Sequence, residues 1–474
     1  MTLEELIIVQ SSVETGDPHQ CSDSSDRNSI LNHIFEPLVK RDGNGKFYPC
    51  LAFQWSVQPD GLTWLFRLHE NILFHNGMKL SARDILYNFE RIIDPSIGGS
   101  FGTEGVYASY LSGAKFTARS DDIFTITTPE PMPDLLDLLS EMPIGYGEEL
   151  DKLPRHYIGT GAYKVGSRKS YELELELFRS YWDKNPPVNE LVWIREPNAL
   201  RRVEMVLETD ADIGSNIGHE GVRLTESSGR LVSRKFAGWL CIIFLFNMFQ
   251  GVCKDRLIRQ ALNYALDKKE LIRYAKNGTA EILNGFLTPH HFGYNSETEP
   301  YSYDPERARN LLLEAGYDGG FKLELDIPSS MPDEAPKLAE IISKFYSQIG
   351  IEVDVKEYYD RQKYAEMVKE KKIHDLCCFD SSPKSTFRVL REKLVSLYKG
   401  PWWQGYHNPE VNKLFIQATK TLDNKKREKI YQAIYEKITD DAPWLFLYRP
   451  YYFWAVNERA GFWYPGNDGL TTIK

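Results

Sequence analysis

Hydrophobic and polar positions change their pattern near the middle of this 474-residue chain. Before residue 236, short segments alternate with period two, as in "LTWLFRLHE" (62–70) and "KFTARSDDIFTITT" (115–128). Such alternation predicts half-buried strands. Turn signals separate them. "QPDG" (58–61) predicts a tight turn, and Asp42, Gly43, Asn44 and Gly45 predict the turn of a hairpin in "KRDGNGKFYPCLAFQW". "YIGTGAYKVGSRKSYELELELF" (157–178) reads as a turn followed by another hairpin. Three helices interrupt this texture: "DSSDRNSILNHIFEPLV" (23–39), "SARDILYNFERIID" (81–94), where Ser81 offers an N-cap and Asp84 stands three residues on, and a short one after "EPMP" (130–133).

The run "FAGWLCIIFLFNMF" (236–249) is apolar but contains Asn247. It is shorter than the ~20 residues a membrane span needs, so a buried strand is expected. Beyond it, helical spacing takes over. "DRLIRQALNYALDKKELIRYAKNG" (255–278) and "DPERARNLLLEAG" (304–316) predict amphipathic helices, the second closed by Gly316. "FKLELDI" and "IEVDVKEY" are strands separated by the helix "EAPKLAEIISKFYSQIG", which is α/β alternation. A helix over 408–440 and the strand "PWLFLYRPYYFWAVN" close the chain.

Length alone predicts about three domains. The net charge of −10 argues against nucleic acid as a partner. The 27 Tyr, 24 Phe and 10 Trp exceed ordinary core needs and suit a ligand-enclosing site. The six cysteines (Cys21, Cys50, Cys241, Cys253, Cys377 and Cys378) form no C-x-x-C pair, so neither a zinc site nor a disulfide framework is expected. "MTLEELIIVQ" lacks the basic and apolar regions of an export signal, and the chain as written reads as soluble.

Three groupings invite a catalytic reading. His69, Glu70 and His75 fall within seven residues, but the spacing is not H-E-x-x-H and the pattern is not helical. "GGSFG" (98–102) fits G-x-S-x-G yet follows a helix, where a nucleophile elbow needs a strand before it. "GTGAY" (159–163) lacks the third glycine and the helix of a nucleotide loop. Each reads as scaffold, and no enzyme is expected.

The order of segments is more specific. Ala52 and Trp55, then Phe66-Arg67-Leu68, Phe74-His75-Asn76-Gly77 and Ala82-Arg83-Asp84 resemble the signature of the family 5 (peptide/nickel type) solute-binding proteins of ABC transporters. "IGTGAYKV" is similar to a further family segment, with Ala162 replacing its usual Pro. "LFRSYWDKNPPVNELVW", the spacing Asn247, Asp255, Arg259, Ala261, Ala265 and Asp267, "YDPERARNLLLEAGYDGGFKLEL" and "DDAPWLFLY" continue the match in order. In this signature His75 belongs to a structural turn.

The resemblance implies an α/β fold, the periplasmic-binding-protein type II clamshell (cluster C), with two lobes and an extra inserted domain. Lobe I would comprise 1–38, 168–248 and 446–474, the inserted domain 39–167, and lobe II 249–445. The implied function is the substrate-binding component of an ABC importer that closes on peptide-like solutes and hands them to membrane permease subunits. A monomer without cofactor, metal or nucleic acid is implied, at the periplasmic or outer face of the membrane. Peptide-binding members hold the ligand's amino group with an Asp after a Trp-x-x-Asp strand. "CCFDSSPKS" lies at that place, so Asp380 in its loop is the expected counterpart, with Cys377 replacing the Trp. Trp402, Trp403 and Tyr406 in "GPWWQGYHN" are candidate walls of the ligand site, Arg388 a partner for an anionic group, and Asn247 a hydrogen-bonding group near the lobe crossover. Nickel chelates, oligosaccharides, opines, glutathione and haem stay open as ligands. A cytoplasmic sensor built on the same fold and a hydrolase using His69, Glu70 and His75 are the readings from other classes.

Overall fold

The computed structural model describes residues 3–20, 24–42, 45–97, 105–299, 301–330, 332–466 and 468–473. The turn residues Gly43 and Asn44, Cys21 and the segment 98–102 lie outside them. The chain forms two compact units, Met1–Phe236 with Tyr452–Lys474, and Ala237–Tyr451. No helix among the described residues is long and apolar enough to cross a membrane.

In the first unit the strand Leu3–Gln10 lies between two parallel partners, Val188–Arg195 and Ile213–Ser215. Antiparallel Glu172–Leu177 and Tyr163–Arg168 extend one side, and the far end of the long strand Trp444–Val456 pairs with Ile213–Ser215 on the other. Leu6, Ile8, Leu191, Trp193 and Trp454 fill the core. The helix beneath runs Ser25–Ile34 with Ser24 as its N-cap, shorter than the apolar spacing suggests. Pro37 disfavours helical backbone at Glu36, and the freed Glu36 becomes a buried hub. Its carboxylate accepts from Lys40 Nζ at 2.7 Å, Tyr181 Oη at 2.9 Å and Trp182 Nε1 at 2.7 Å.

A separate four-stranded antiparallel sheet in this unit has the order Ala52–Val57, Thr63–Leu68, Ile123–Thr127, Lys115–Ala118. The helix Ala82–Ile92 packs Phe89 on Phe116 and Phe124, each at 5.1 Å. Its Ser81–Asp84 capping box is formed as the spacing predicts.

The two histidines of the 69–75 stretch go to different places. His69 lies against Trp182 at 5.0 Å and Phe53 at 5.4 Å. His75 donates from Nε2 to Gly161 O at 2.9 Å, and its Nδ1 accepts from Gly159 N at 3.3 Å. Both glycines press on the end of the first helix. A Cβ on Gly159 would come within 1.9 Å of Ile34 O, and one on Gly161 within 2.2 Å of His33 O. That contact with backbone is why no other residue fits.

The sheet of the second unit runs Ile351–Tyr358, Phe321–Pro328, Leu376–Ser381, Cys241–Phe246, then the first part of Trp444–Val456 and the short Ala280–Ile282. The first three strands are parallel, and Cys241–Phe246 is antiparallel to both its neighbours. Every residue of Cys241–Phe246 is buried, which explains its unbroken apolar run. One sheet face, with Ile242, Phe244, Leu325, Cys378 and Tyr448, packs on helices that supply Leu262, Ile342 and Phe345.

Two expected helices are each broken in two. Segment 255–278 forms Arg256–Tyr264 and Lys268–Lys276, because Asp267 caps the backbone of Lys269 and Glu270. Segment 408–440 forms Pro409–Thr419 and Asn424–Asp441, with Asp423 capping the second. An Asp that satisfies the orphan N–H groups of a new helix start competes with continuing the old one.

Candidate functional site

All six residues singled out from the sequence lie in the second unit, but the structure divides them between two ends of one strand pair. Asp380 is paired with Ile242 and Leu376 with Phe246. Asn247 follows Phe246, so it and Asp380 are separated by more than about 13 Å at roughly 3.3 Å per residue.

Asn247, Trp403 and Tyr406 belong to the far end. The Asn247 amide donates to Ile373 O at 2.8 Å and accepts from Phe249 N at 3.0 Å, so both its polar atoms hold backbone. Trp403 packs edge-on to Phe249 at 5.3 Å and donates from Nε1 to Tyr406 O at 2.6 Å. Tyr406 donates to Asp441 Oδ2 at 2.6 Å, and burial with that carboxylate drives its phenol far above the usual range.

Asp380, Arg388 and Trp402 gather at the other end. Asp380 is a strand residue, not the loop residue its polar surroundings suggested. The strand runs through it because Asp380 and Ser381 continue the pairing with Ile242 and Cys241. The residue is half-buried where the strand ends, and alternation turns its side chain to the face of Cys378, away from Phe379. Trp402 lies 4.9 Å from Phe379, the preceding residue. Lys393, absent from the sequence reading, donates from Nζ to Asp380 O at 2.9 Å and lies 5.0 Å over the Phe379 ring. Arg388 and Glu392, both buried, pair at 3.1 Å on the segment that follows.

A second group missed in the sequence lies across the same strand end. Arg449 donates through Nε to Glu281 Oε2 at 2.7 Å and through Nη2 to the same oxygen, while Tyr451 donates to Glu281 Oε1 at 2.8 Å. One signal pointed there: Arg449 is the sole charged residue between Trp444 and Val456. Cys241 lies between, and burial pushes its thiol up to about 12. His291 joins Thr288 to Pro383, donating from Nε2 to Pro383 O at 2.9 Å. The five described cysteines are buried free thiols. Among the described residues, no group of three or more His, Cys, Asp or Glu is placed to hold a metal ion.

This arrangement of carboxylates, cations and aromatic rings can bind a charged solute without supplying an activated nucleophile. Residues 46–382 match the family model of the bacterial extracellular solute-binding proteins, family 5. The glutathione-binding protein GsiB of Pectobacterium atrosepticum is 26% identical over 463 residues, covering 94% of this chain and 88% of that protein. Among solved structures, the DppA periplasmic binding protein of Helicobacter pylori in complex with the peptide STSA superposes with a TM-score of 0.79. It is 23% identical and covers 99% of this chain and 97% of its own. HbpA2 from Haemophilus parasuis superposes with a TM-score of 0.87 at 19% identity, over 99% of this chain and 100% of its own.

Proposed function

The chain belongs to the bacterial extracellular solute-binding proteins of family 5, and from that premise we propose that it captures peptide-like solutes outside the cytoplasm by hinge closure. The captured solute is then passed to the membrane permease of an ABC importer. The lobes follow the two compact units, Met1–Phe236 with Tyr452–Lys474 and Ala237–Tyr451, with 39–167 as the extra domain within the first. The protein acts as a monomer and leaves its ligand chemically unchanged. Relatives named as glutathione-binding, and related folds solved with bound peptides, support this ligand class.

The observation that carries the reading is the half-buried Asp380 at the strand end, next in the chain to the Phe379 that packs on Trp402. A ligand ammonium leaving water needs a charged, hydrogen-bonding partner. Asp380 supplies the charge, and Trp402, packed on Phe379 across the strand, an apolar wall. Arg388 is the candidate for an anionic group, held in place by Glu392. Trp403, Tyr406 and Asn247 play a supporting part at the far end of the strand.

Native mass spectrometry of freshly purified protein tests the class of ligand. The expected result is a co-purified solute bearing a primary amine, displaced intact by unfolding. A stoichiometric metal ion, or a product formed from an added peptide, contradicts the reading.

A further inference from the structure

The helices Pro409–Thr419 and Asn424–Asp441 form a hairpin on the second unit. Glu410 pairs with Lys437 at 2.5 Å, joining the start of one to the far half of the other, so the two run antiparallel. The first buries Val411, Phe415 and Ala418 and turns Lys413, Ile416, Gln417 and Lys420 to solvent, positions that share one helix face. Lys425, Lys426 and Lys429 are exposed on the opening turns of the second. The loop before the hairpin sits against the same helix. Asn412 Nδ2 donates to Ser396 Oγ at 2.8 Å, and the Tyr398 ring lies 5.8 Å from that of Phe415.

Two features coincide on this surface. One is charge. Lys399, Lys413, Lys420, Lys425, Lys426 and Lys429 are exposed, and none has an ion pair among the described residues. The nearby acids are few and mostly engaged. Glu410 holds Lys437, Asp423 caps the Lys426 backbone, and Glu428 is the other carboxylate between Pro409 and Tyr431. In a chain of net charge −10 this is a local reversal of sign. The second feature is apolar exposure. Leu397, Tyr398 and Ile416 are 50%, 42% and 42% exposed beside those lysines. Lys399 also holds φ at +47°, where Gly or Asn would be less strained.

We propose that this lysine-rich face docks the protein on an anionic phospholipid surface, with Leu397, Tyr398 and Ile416 entering the headgroup layer. Apolar groups set among lysines match a surface that is charged outside and oily beneath. Specific protein interfaces favour Arg and are depleted of Lys. Here all six exposed cations are lysines, compact charges on flexible stems that can follow headgroups without a fixed partner geometry. The contact goes beyond solute capture and does not depend on which solute is bound. It concentrates the protein at the membrane to which the solute is delivered.

The test is flotation of the full chain with vesicles of phosphatidylglycerol and phosphatidylcholine in equal parts, and with vesicles of phosphatidylcholine alone. The proteins are the wild type, a triple variant (Lys420→Gln, Lys425→Gln and Lys426→Gln) and a double variant (Leu397→Gln and Ile416→Gln). All five side chains are exposed, so both variants fold. The expected result is at least tenfold greater binding of the wild type to the anionic vesicles, abolished by high salt. That preference drops at least fivefold in the triple variant, and the double variant binds the anionic vesicles severalfold less. Solute affinity is the same in all three proteins, which separates this contact from the solute site. Equal binding to both vesicle types, or an unchanged preference in the triple variant, overturns the proposal. Retention of the wild type on immobilised polyglutamate without vesicle binding also overturns it and assigns the face to an acidic protein.

Discussion

Trp402 and Trp403 are adjacent in sequence yet pack at opposite ends of one strand pair, Trp402 on Phe379 at 4.9 Å and Trp403 on Phe249 at 5.3 Å. Their substitutions should therefore separate binding from stability. Each replacement by Ala destabilises the second unit by roughly 3 kcal/mol through lost packing. Only Trp402→Ala also lowers ligand affinity, by about tenfold, the share of one stacked aromatic wall. Titration calorimetry of folded protein checks this, and an equal loss of affinity in both variants would disprove the division.

Tyr406 gives a matching control. Its hydroxyl and the Asn408 amide both bind Asp441 Oδ2, at 2.6 and 2.7 Å. Tyr406→Phe leaves that carboxylate one donor short and should cost about 1–3 kcal/mol in urea unfolding. Ligand affinity should not change.

Lys268 is buried, at 4% exposure, and its Nζ has no hydrogen-bond partner. The Tyr301 ring lies 5.9 Å away, and burial lowers the ammonium's pKa to about 7. The unfolded chain, titrating near 10.5, binds more protons across pH 7–10.5. Stability therefore rises with pH through that window. Lys268→Met should stabilise the protein by about 1–3 kcal/mol at pH 7 and remove this part of the rise. Denaturant titrations at pH 7 and 9 measure both, and unaltered slopes would contradict the assignment.

His75 works in the opposite range. Its ring serves the Gly159–Gly161 turn only when neutral, since Nδ1 must accept a hydrogen bond. Burial lowers its pKa from 6.5 to about 4, and His19 is lowered to about 4 by burial and Arg91. Folded-state pKa values below the unfolded one mean stability is complete above pH 6.5 and declines as pH falls towards 4. His75→Gln should flatten that decline by up to one proton, as read from unfolding free energies at pH 4.5, 5.5 and 7.

The sequence patterns were most legible where the determinants are local. The Ser81–Asp84 box, the Gly316 stop and the alternating hairpins depend on residues a few positions apart, and they stand as expected. Helix breaks at Asp267 and Asp423 were obscured because the apolar spacing continues on both sides of each cap. The candidate site was half legible. Asp380 and the Phe379 that packs on Trp402 stand at one strand end, but two neighbouring tryptophans in an irregular loop carry no mark of which way each points. Lys393 reaches Asp380 across 13 residues, and Glu281 meets Arg449 across 168, so those partnerships depend on sheet register.

Asp380 holds the central claim. Titration calorimetry of the wild type and Asp380→Ala, with glutathione and a free-amine tripeptide, tests it most directly. The account predicts saturable one-to-one binding of at least one of these solutes, recovered unchanged, and a loss of 100-fold or more in the folded variant. Wild-type affinity in Asp380→Ala, or chemical conversion of the solute, would contradict it.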